Sequence, residues 1–250
     1  MEVHQHTHTP RKKWTHYFWE FLMLFLAVFC GFLAEYQLEH VIENQREKQF
    51  MRSMVEDLEK DIVGLETESK LVKIQYDKLD SLTEMIYKGE LGQFQVTKMY
   101  ELQRRYLYPL TLKLVNRTEL QLTNSGGMRL IRNKQVADSI IYYWGITELL
   151  YDTKNNINVH RDRAKDISFI IFNNKYYKHT EGFSLGFTLD SSKGEPALMT
   201  RNPAVLSEFA NRISHMSDLL KRNYKQGRVD HQASNAKSLI QLIKKEYHLE

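Results

Sequence analysis

An apolar stretch near the N-terminus, from Tyr17 to Ala34, constrains this chain more than any other feature. Residues 21–34 carry no charge, and as a helix they cover about 21 Å of hydrocarbon at about 1.5 Å per residue. Extension to Tyr17 and Tyr36 gives about 30 Å, the thickness of one bilayer core. The sequence therefore predicts a transmembrane helix over residues 14–36. The predicted membrane anchor consists of Trp14, Tyr17, Trp19, Phe21, Leu24, Phe25, Phe29, Phe32 and Tyr36.

Charged residues flank the predicted span unevenly. Residues 11–13 are Arg-Lys-Lys, whereas Glu35 and Glu39 open the other side. Because basic residues collect on the cytoplasmic side of a membrane, we expect residues 1–13 to form a cytoplasmic tail and residues 37–250 an extracytoplasmic domain. The apolar run is not followed by a small-x-small cleavage site, which favours an uncleaved signal anchor.

The composition of the chain favours long helices. Four prolines and eleven glycines among 250 residues leave few interruptions, and the expected class is mostly α. The 35 basic and 31 acidic residues are mixed along the chain, which is unlike a nucleic-acid-binding surface. Cys30 is the single cysteine, so no intramolecular disulfide can form.

A helical pattern follows the predicted span from residue 37 to residue 88, and only Gly64 weakens it. We interpret it as a stalk helix that continues from the membrane helix into an elongated helical bundle. Its apolar seam follows alternating steps of four and three residues. Ser69 and Thr83 occupy the same seam, and these polar residues favour packing against helices of this chain over a two-chain zipper. The seam consists of Leu58, Ile62, Leu65, Val72, Tyr76, Leu79 and Ile86.

Two further helices are expected in the middle of the chain. A short helix is predicted over residues 96–107 and ends near a proline. A tight turn is predicted at Ser125, Gly126 and Gly127, because a glycine takes a left-handed backbone without steric cost. A long helix is predicted over residues 134–172.

The last part of the chain changes character twice. Residues 173–201 are rich in Asn and Gly and predict an irregular loop, or a short hairpin, where a partner protein binds. Asn202 and Pro203 form a helix start. Residues 203–248 predict a helical hairpin that turns at Gly227.

Five short sequence motifs of this chain form a recognisable combination. They are Glu-Asn-Gln-Arg-Glu-Lys at 43–48, Val-Glu-Asp-Leu at 55–58, Lys-Asp-Ile at 60–62, Leu-Thr-Asn-Ser-Gly at 122–126 and Leu-Ile-Arg-Asn-Lys at 130–134. With the basic tail and the aromatic-rich span, this combination resembles an uncharacterised family of single-pass membrane proteins of Gram-negative bacteria. The resemblance implies an inner-membrane protein with a periplasmic helical domain, and it implies no activity. This chain has a Phe-rich span where the usual members have a longer aliphatic one.

No pattern in the sequence predicts catalysis, a cofactor or a metal. The motifs of metalloproteases, hydrolases and phosphate-binding loops do not occur. His4, His6 and His8 alternate in the N-terminal tail and could chelate a metal, but a disordered tail lacks the preorganised frame that binding needs. We therefore predict no enzyme, no catalytic residues, no cofactor and no metal site.

The predicted function is a membrane-anchored helical scaffold or an accessory subunit of an envelope protein complex. Its expected partners are the lipid bilayer, other membrane or periplasmic proteins and further copies of the chain, with no nucleic acid. An alternative is a periplasmic sensor that binds a small ligand and signals through its membrane helix to a partner. A pore made of oligomerised spans is a third reading, and only Glu20 favours it.

Overall fold

The structure is a computed structural model that describes residues 14–179 and 187–249. It is mostly helical and has a long apolar helix at its N-terminal end, which confirms the predicted α class. The chain divides into two compact units, Met1–Phe50 and Met51–Glu250.

Helix α1, Trp14–Lys88, covers both the predicted membrane span and the predicted stalk segment. No proline interrupts it, and Gly64 is accommodated because a methyl group at that position would lie 3.8 Å from Leu112 Cδ1, an ordinary contact. The helix ends before Gly89, whose φ of 71° turns the chain away.

Three further helices follow, and α2 and α4 lie close to the positions predicted for them. Helix α2 is Gln93–Tyr106, and helix α3 is Arg117–Asn124. Helix α4 is Lys134–Ile171, and the side chain of Asn133 caps it by accepting a hydrogen bond from the Val136 backbone N–H. Residues 107–116, between α2 and α3, have no regular secondary structure and are called the strap below.

Residues 173–201 contain more structure than an irregular loop. Strands β1, Tyr177–His179, and β2, Phe187–Leu189, pair in antiparallel register. An isolated bridge joins Phe172 to Leu198 just outside them. The segment predicted to bind a partner therefore includes a small hairpin, although residues 180–186 lie outside the described part of the chain.

The predicted helical hairpin over residues 203–248 is wrong. Helix α5, Pro203–Asp218, leads into a π-helix, Leu219–Val229, and this leads into helix α6, Asp230–Tyr247. The residues at both junctions keep right-handed helical backbone angles, so the chain does not reverse at Gly227. At the end of the π-helix the Asp230 backbone N–H donates to the carbonyl of Lys225, five residues back.

The burial pattern explains the π-helix. Buried residues in α5 and α6 follow steps of three and four, but the buried positions Met216, Leu220, Tyr224 and Val229 are separated by four, four and five. A helix with 3.6 residues per turn would carry such a series away from the core. The wider turn of a π-helix keeps these four side chains on one face.

The core lies in the second unit, where α1, α2, α4, α5 and the π-helix contribute side chains to one hydrophobic cluster. The largest fully buried side chains include Tyr100, Tyr224 and Phe209. The rings of Phe172 and Phe209 are 5.7 Å apart, and the Tyr100 ring lies edge-on to Phe172 at 5.0 Å. These aromatic contacts join α2, the residue that follows α4, and α5.

Candidate functional site

Every residue of the predicted membrane anchor is exposed in the structure. Exposure ranges from 48% of the Phe29 side chain to 80% of Trp14. The apolar window of α1 has a mean hydropathy of 2.0, and no part of it is buried within the protein. By length and composition this is one helix near the N-terminus that is apolar enough to cross a membrane.

Burial of the predicted stalk seam is nearly complete. Ile62 is half-buried, and the other six seam residues are buried. Ser69 donates a hydrogen bond of 2.6 Å to Asp230 Oδ1, and Thr83 donates one of 3.0 Å to the Leu79 carbonyl. The two polar residues on the seam are therefore bonded within the chain.

The predicted tight turn joins α3 to a short 3₁₀ helix, Gly127–Leu130. Gly126 has a φ of 64°, the left-handed conformation that glycine adopts at no steric cost. The Ser125 backbone N–H donates to the Gln121 carbonyl, which satisfies the end of α3. A methyl group on Gly126 would meet no atom within 4 Å, so its backbone angle alone accounts for the glycine.

Sequence reasoning missed a row of polar side chains inside the second unit. Asp57, Asp61, Glu68 and Gln75 lie on α1 at steps of four, seven and seven residues, and all four are buried. The steps place them along one side of the helix. A buried polar or charged group is costly unless it is bonded, so each member of this row requires a partner.

The first two members hold the end of the strap and the start of α3. Asp57 Oδ2 accepts hydrogen bonds from the backbone N–H and the hydroxyl of Thr118, at 3.0 and 2.6 Å. Asp61 accepts from the Val115 backbone N–H at 2.7 Å and from the Tyr143 hydroxyl at 2.8 Å. Burial raises the pKa of Asp61 despite these two bonds, and Asp57 adds repulsion.

The strap is also held from α4. Asn158 accepts from the Leu110 backbone N–H at 2.9 Å and donates to the Leu110 carbonyl at 3.2 Å. Lys154 donates to the Leu112 carbonyl, and the Tyr151 hydroxyl accepts from the Leu114 backbone N–H. Side chains of α1 and α4 thus supply the strap backbone with hydrogen bonds that a neighbouring strand would otherwise make.

At the other end of the row, Gln75 donates to the carbonyls of Tyr106 and Tyr108, at 2.9 and 3.1 Å. It therefore fixes the point where α2 passes into the strap. Burial raises the pKa of the Tyr108 phenol to about 12, and the nearby Glu68 carboxylate contributes to this shift.

Glu68 links α1 to the π-helix, because its carboxylate accepts a 2.9 Å hydrogen bond from the buried Tyr224 hydroxyl. Burial raises the pKa of Glu68, whereas the Tyr224 bond and the positive charge of Lys154 oppose that shift. Burial also raises the pKa of Tyr224, so its hydroxyl stays protonated and remains a donor. The arrangement is suited to holding helices together.

These polar groups bind one another and the backbone. Within residues 14–179 and 187–249, no group of three or more His, Cys, Asp or Glu side chains is placed to hold a metal ion. The alternating histidines at residues 4, 6 and 8 lie outside this range. The row on α1 is consequently a means of positioning the strap.

A groove of about 620 Å³ lies between α4 and the π-helix. Its floor includes the buried Ile157, and Arg222 and Arg228 lie along one side of it. Asn156 and Asp152 line the α4 side. Guanidinium and amide groups of this kind can bind a polar ligand, although Arg222 already pairs with Asp218 at 2.7 Å.

Comparison with protein-family models, with curated proteins and with solved structures gives no match for this chain.

Proposed function

We propose that this chain is a membrane-anchored helical scaffold or an accessory subunit of an envelope protein complex, and that it acts through protein–protein contacts. The observation that supports an anchor is the state of the apolar part of α1, which has a mean hydropathy of 2.0 and is not buried anywhere in the protein. Fourteen uncharged residues at 21–34 would leave a large apolar surface in water, and a bilayer removes that cost.

The proposed topology is a single pass through the bacterial inner membrane. The basic residues at 11–13 support a cytoplasmic N-terminus, and the second unit then lies in the periplasm. In this proposal residues 37–88 serve as a stalk and the second unit as an elongated helical bundle.

The second unit offers surface for contacts with other proteins. Ile141, Val159 and Ile170 on α4 are each about half exposed, and they recur on one side of the helix. Phe94 on α2 is 75% exposed, and Met199 is 58% exposed. Single exposed apolar side chains are normal on protein surfaces, so a partner would have to span several of these residues to cover an appreciable apolar area.

The groove between α4 and the π-helix favours a second candidate, a periplasmic small-ligand sensor that signals through its membrane helix to a partner. Its volume of about 620 Å³ is sufficient for a small molecule, and Arg228 together with Asn156 would supply polar contacts. The scaffold is preferred because the carboxylates of Asp61 and Glu68, two members of the buried polar row on α1, accept hydrogen bonds from within the chain and so serve its packing.

Extraction and labelling of the full-length protein test the anchor and its orientation. A membrane-spanning chain stays in the membrane fraction at alkaline pH, and a peripheral chain is released. Lys98→Cys in a Cys30→Ser background places one thiol at a position on α2 where the native side chain is 45% exposed. An impermeant maleimide added to spheroplasts should label this variant and leave Cys30→Ser unlabelled. Labelling of Lys98→Cys only after lysis would reverse the proposed orientation.

Purification in mild detergent separates the candidate functions. Light scattering gives the mass of the complex, and mass spectrometry identifies proteins that remain bound. A stoichiometric companion supports an accessory subunit, and a defined homo-oligomer supports a scaffold. A monomer without companions that gains thermal stability from a small molecule, with the gain lost in Arg228→Gln, would favour the sensor.

A further inference from the structure

Two histidine side chains meet between α4 and α5. The ring centres of His160, on α4, and His215, on α5, are 4.7 Å apart, and the ring planes cross at 72°. His160 is half-buried and His215 is exposed. Across residues 14–179 and 187–249, no side chain or backbone group forms a hydrogen bond with either ring. The ring nitrogens are therefore available to a ligand.

Two arginines flank the histidine pair. Arg163 follows His160 by three residues on α4, and Arg212 stands three residues before His215 on α5. Residues three apart share a helix face, so each arginine lies beside its histidine. Burial is the largest cause of a lowered pKa at His160, and the charges of His215, Arg163 and Arg212 lower it further, in that order. We call these four side chains the basic cluster.

Acidic side chains balance only part of this positive charge. Glu208 pairs with Arg212 at 2.6 Å. Asp162 is next to Arg163 in sequence but pairs with Arg161. Arg163 has no ion pair within the part of the chain that the structure describes. Within two helical turns of the histidines, the same helices also carry Lys154, Lys165, Asp166, Asp218, Lys221 and Arg222. Bases outnumber acids in this set, so the surroundings stay positive.

The chemistry of the basic cluster favours an anion. Two protonated imidazoles 4.7 Å apart repel each other and the guanidinium groups, so the cluster resists protonation without a counter-ion. An oxyanion relieves that repulsion, because imidazolium and guanidinium N–H groups donate charge-assisted hydrogen bonds to its oxygens. Two imidazoles also suit a transition metal, but the arginines repel a cation.

The groove between α4 and the π-helix leads to the basic cluster. Asn156 lines the groove from α4, and Leu219 lines it from the first residue of the π-helix. His160 lies four residues beyond Asn156, and His215 lies four residues before Leu219. About one helical turn therefore separates the groove from the cluster on both sides. The groove gives room for the body of a molecule whose charged group lies at the cluster.

We propose that the basic cluster binds a phosphate group between α4 and α5, and that its two histidines take up protons as the anion binds. The bound phosphate then joins the two helices. This inference adds a ligand site to the proposed scaffold, and it does not depend on the membrane anchor.

Isothermal titration calorimetry of the full-length protein in mild detergent tests the site. The probe is sodium sulfate, which has the shape of phosphate and keeps its double charge at every pH used, and sodium chloride holds the ionic strength constant. Sulfate should bind at least about tenfold more tightly at about pH 5.5 than at about pH 7.5, the effect of one charge-assisted hydrogen bond. Titration at about pH 6.5 in two buffers of different ionisation enthalpy should show uptake of about one proton per sulfate.

Matched variants separate the basic cluster from the general charge of the protein. His160→Gln combined with His215→Gln should abolish the proton uptake and the pH dependence of binding. Arg163→Gln should weaken sulfate binding about tenfold at low pH. The control is His231→Gln, which removes an exposed histidine beside Tyr142 and should bind sulfate as the parent does. Helical circular dichroism checks that each variant is folded.

Two results would overturn the inference. Equal sulfate affinity at low and neutral pH, or proton uptake that persists without both histidines, would show that the basic cluster is not the site. Zinc chloride that binds the parent at neutral pH and displaces sulfate, but does not bind the double variant, would assign the histidine pair to a metal.

A soluble phosphate ester and a lipid headgroup share the proposed chemistry. Competition against sulfate distinguishes these sources, with glycerol 3-phosphate and short-chain phosphatidic acid as the competitors. Stronger competition by glycerol 3-phosphate supports a soluble ligand, and stronger competition by phosphatidic acid supports a headgroup. If neither displaces sulfate, the basic cluster does not bind phosphate groups and the proposal fails.

Discussion

Replacement of Gly227 by alanine is the sharpest test of the π-helix. In an ordinary helix, alanine stabilises relative to glycine by about 0.5–1 kcal/mol, because glycine loses more backbone entropy on folding. At residue 227 the new methyl carbon would lie 2.9 Å from the carbonyl oxygen of Arg222, closer than real contacts of this kind. Because the obstacle is backbone, relief requires a shift of the π-helix itself.

The size of the effect follows from these two opposing terms. Overpacking that forces a backbone shift costs about 1–3 kcal/mol, which exceeds the entropic gain of up to about 1 kcal/mol. We therefore expect Gly227→Ala to destabilise the protein by about 1 kcal/mol. The matched control is Gly145→Ala in α4, where a methyl group would meet no atom within 4 Å. That variant should gain about 0.5–1 kcal/mol.

The assay is thermal unfolding of the full-length protein in mild detergent, followed by its helical circular-dichroism signal. A difference of about 2 kcal/mol between the two variants corresponds to about 4–8 °C in Tm for a unit of this size. Gly145→Ala should melt above the parent and Gly227→Ala below it. If Gly227→Ala melts as high as Gly145→Ala, the π-helical geometry at this position is refuted.

Substitutions at three other residues test the interior and its titration. Glu68→Ala should cost about 1–3 kcal/mol in denaturant unfolding, because it leaves the buried Tyr224 hydroxyl unpaired. Glu68→Gln keeps an acceptor for that hydroxyl and should be at least as stable as the parent at neutral pH. Because burial raises the pKa of Glu68, its contribution to stability falls as pH rises from the unfolded value through the folded one, and Glu68→Gln should remove that part of the pH profile. Burial is the larger cause, and His215 the next, of a lowered pKa at His160. The stability of the protein therefore falls as pH drops below about 6.5. His160→Gln should lose less stability than the parent between pH 7.5 and about 5.5. Asn158→Ala should cost about 1–3 kcal/mol by the same unfolding assay through its lost bonds to Leu110, against a change within about 0.5 kcal/mol for the exposed Asn155→Ala.

The sequence was sufficient where local chemistry decides the structure. Hydrophobicity alone located the apolar helix, and Asn202 caps a helix as its position before Pro203 predicts. The left-handed Gly126 was predicted on the same local basis. The site that sequence reasoning missed depends on partners distant in the chain. Asp61 bonds a backbone N–H 54 residues away, and no periodicity in α1 identifies that partner.

Gly227 shows how a local signal can mislead. Its glycine predicted a chain reversal, but the intervals of four, four and five residues from Met216 to Val229 already fit a wider helix. A pattern with about 4.3 residues per turn is weak over so short a stretch, because steps of four occur in every α-helix. The five-residue interval from Tyr224 to Val229 was the available evidence for a π-helix. The hydrogen bond from Tyr224 to Glu68 makes that evidence decisive, because it holds Tyr224 on the buried face.

The strap has a further consequence for the behaviour of the protein at high concentration. Leu110, Leu112 and Leu114 alternate with polar or exposed neighbours, the pattern of a strand whose edge could recruit the same segment of another molecule. Asn158, with other side chains of α1 and α4, occupies the amide and carbonyl groups that such recruitment needs. Loss of these bonds would therefore expose a template for aggregation.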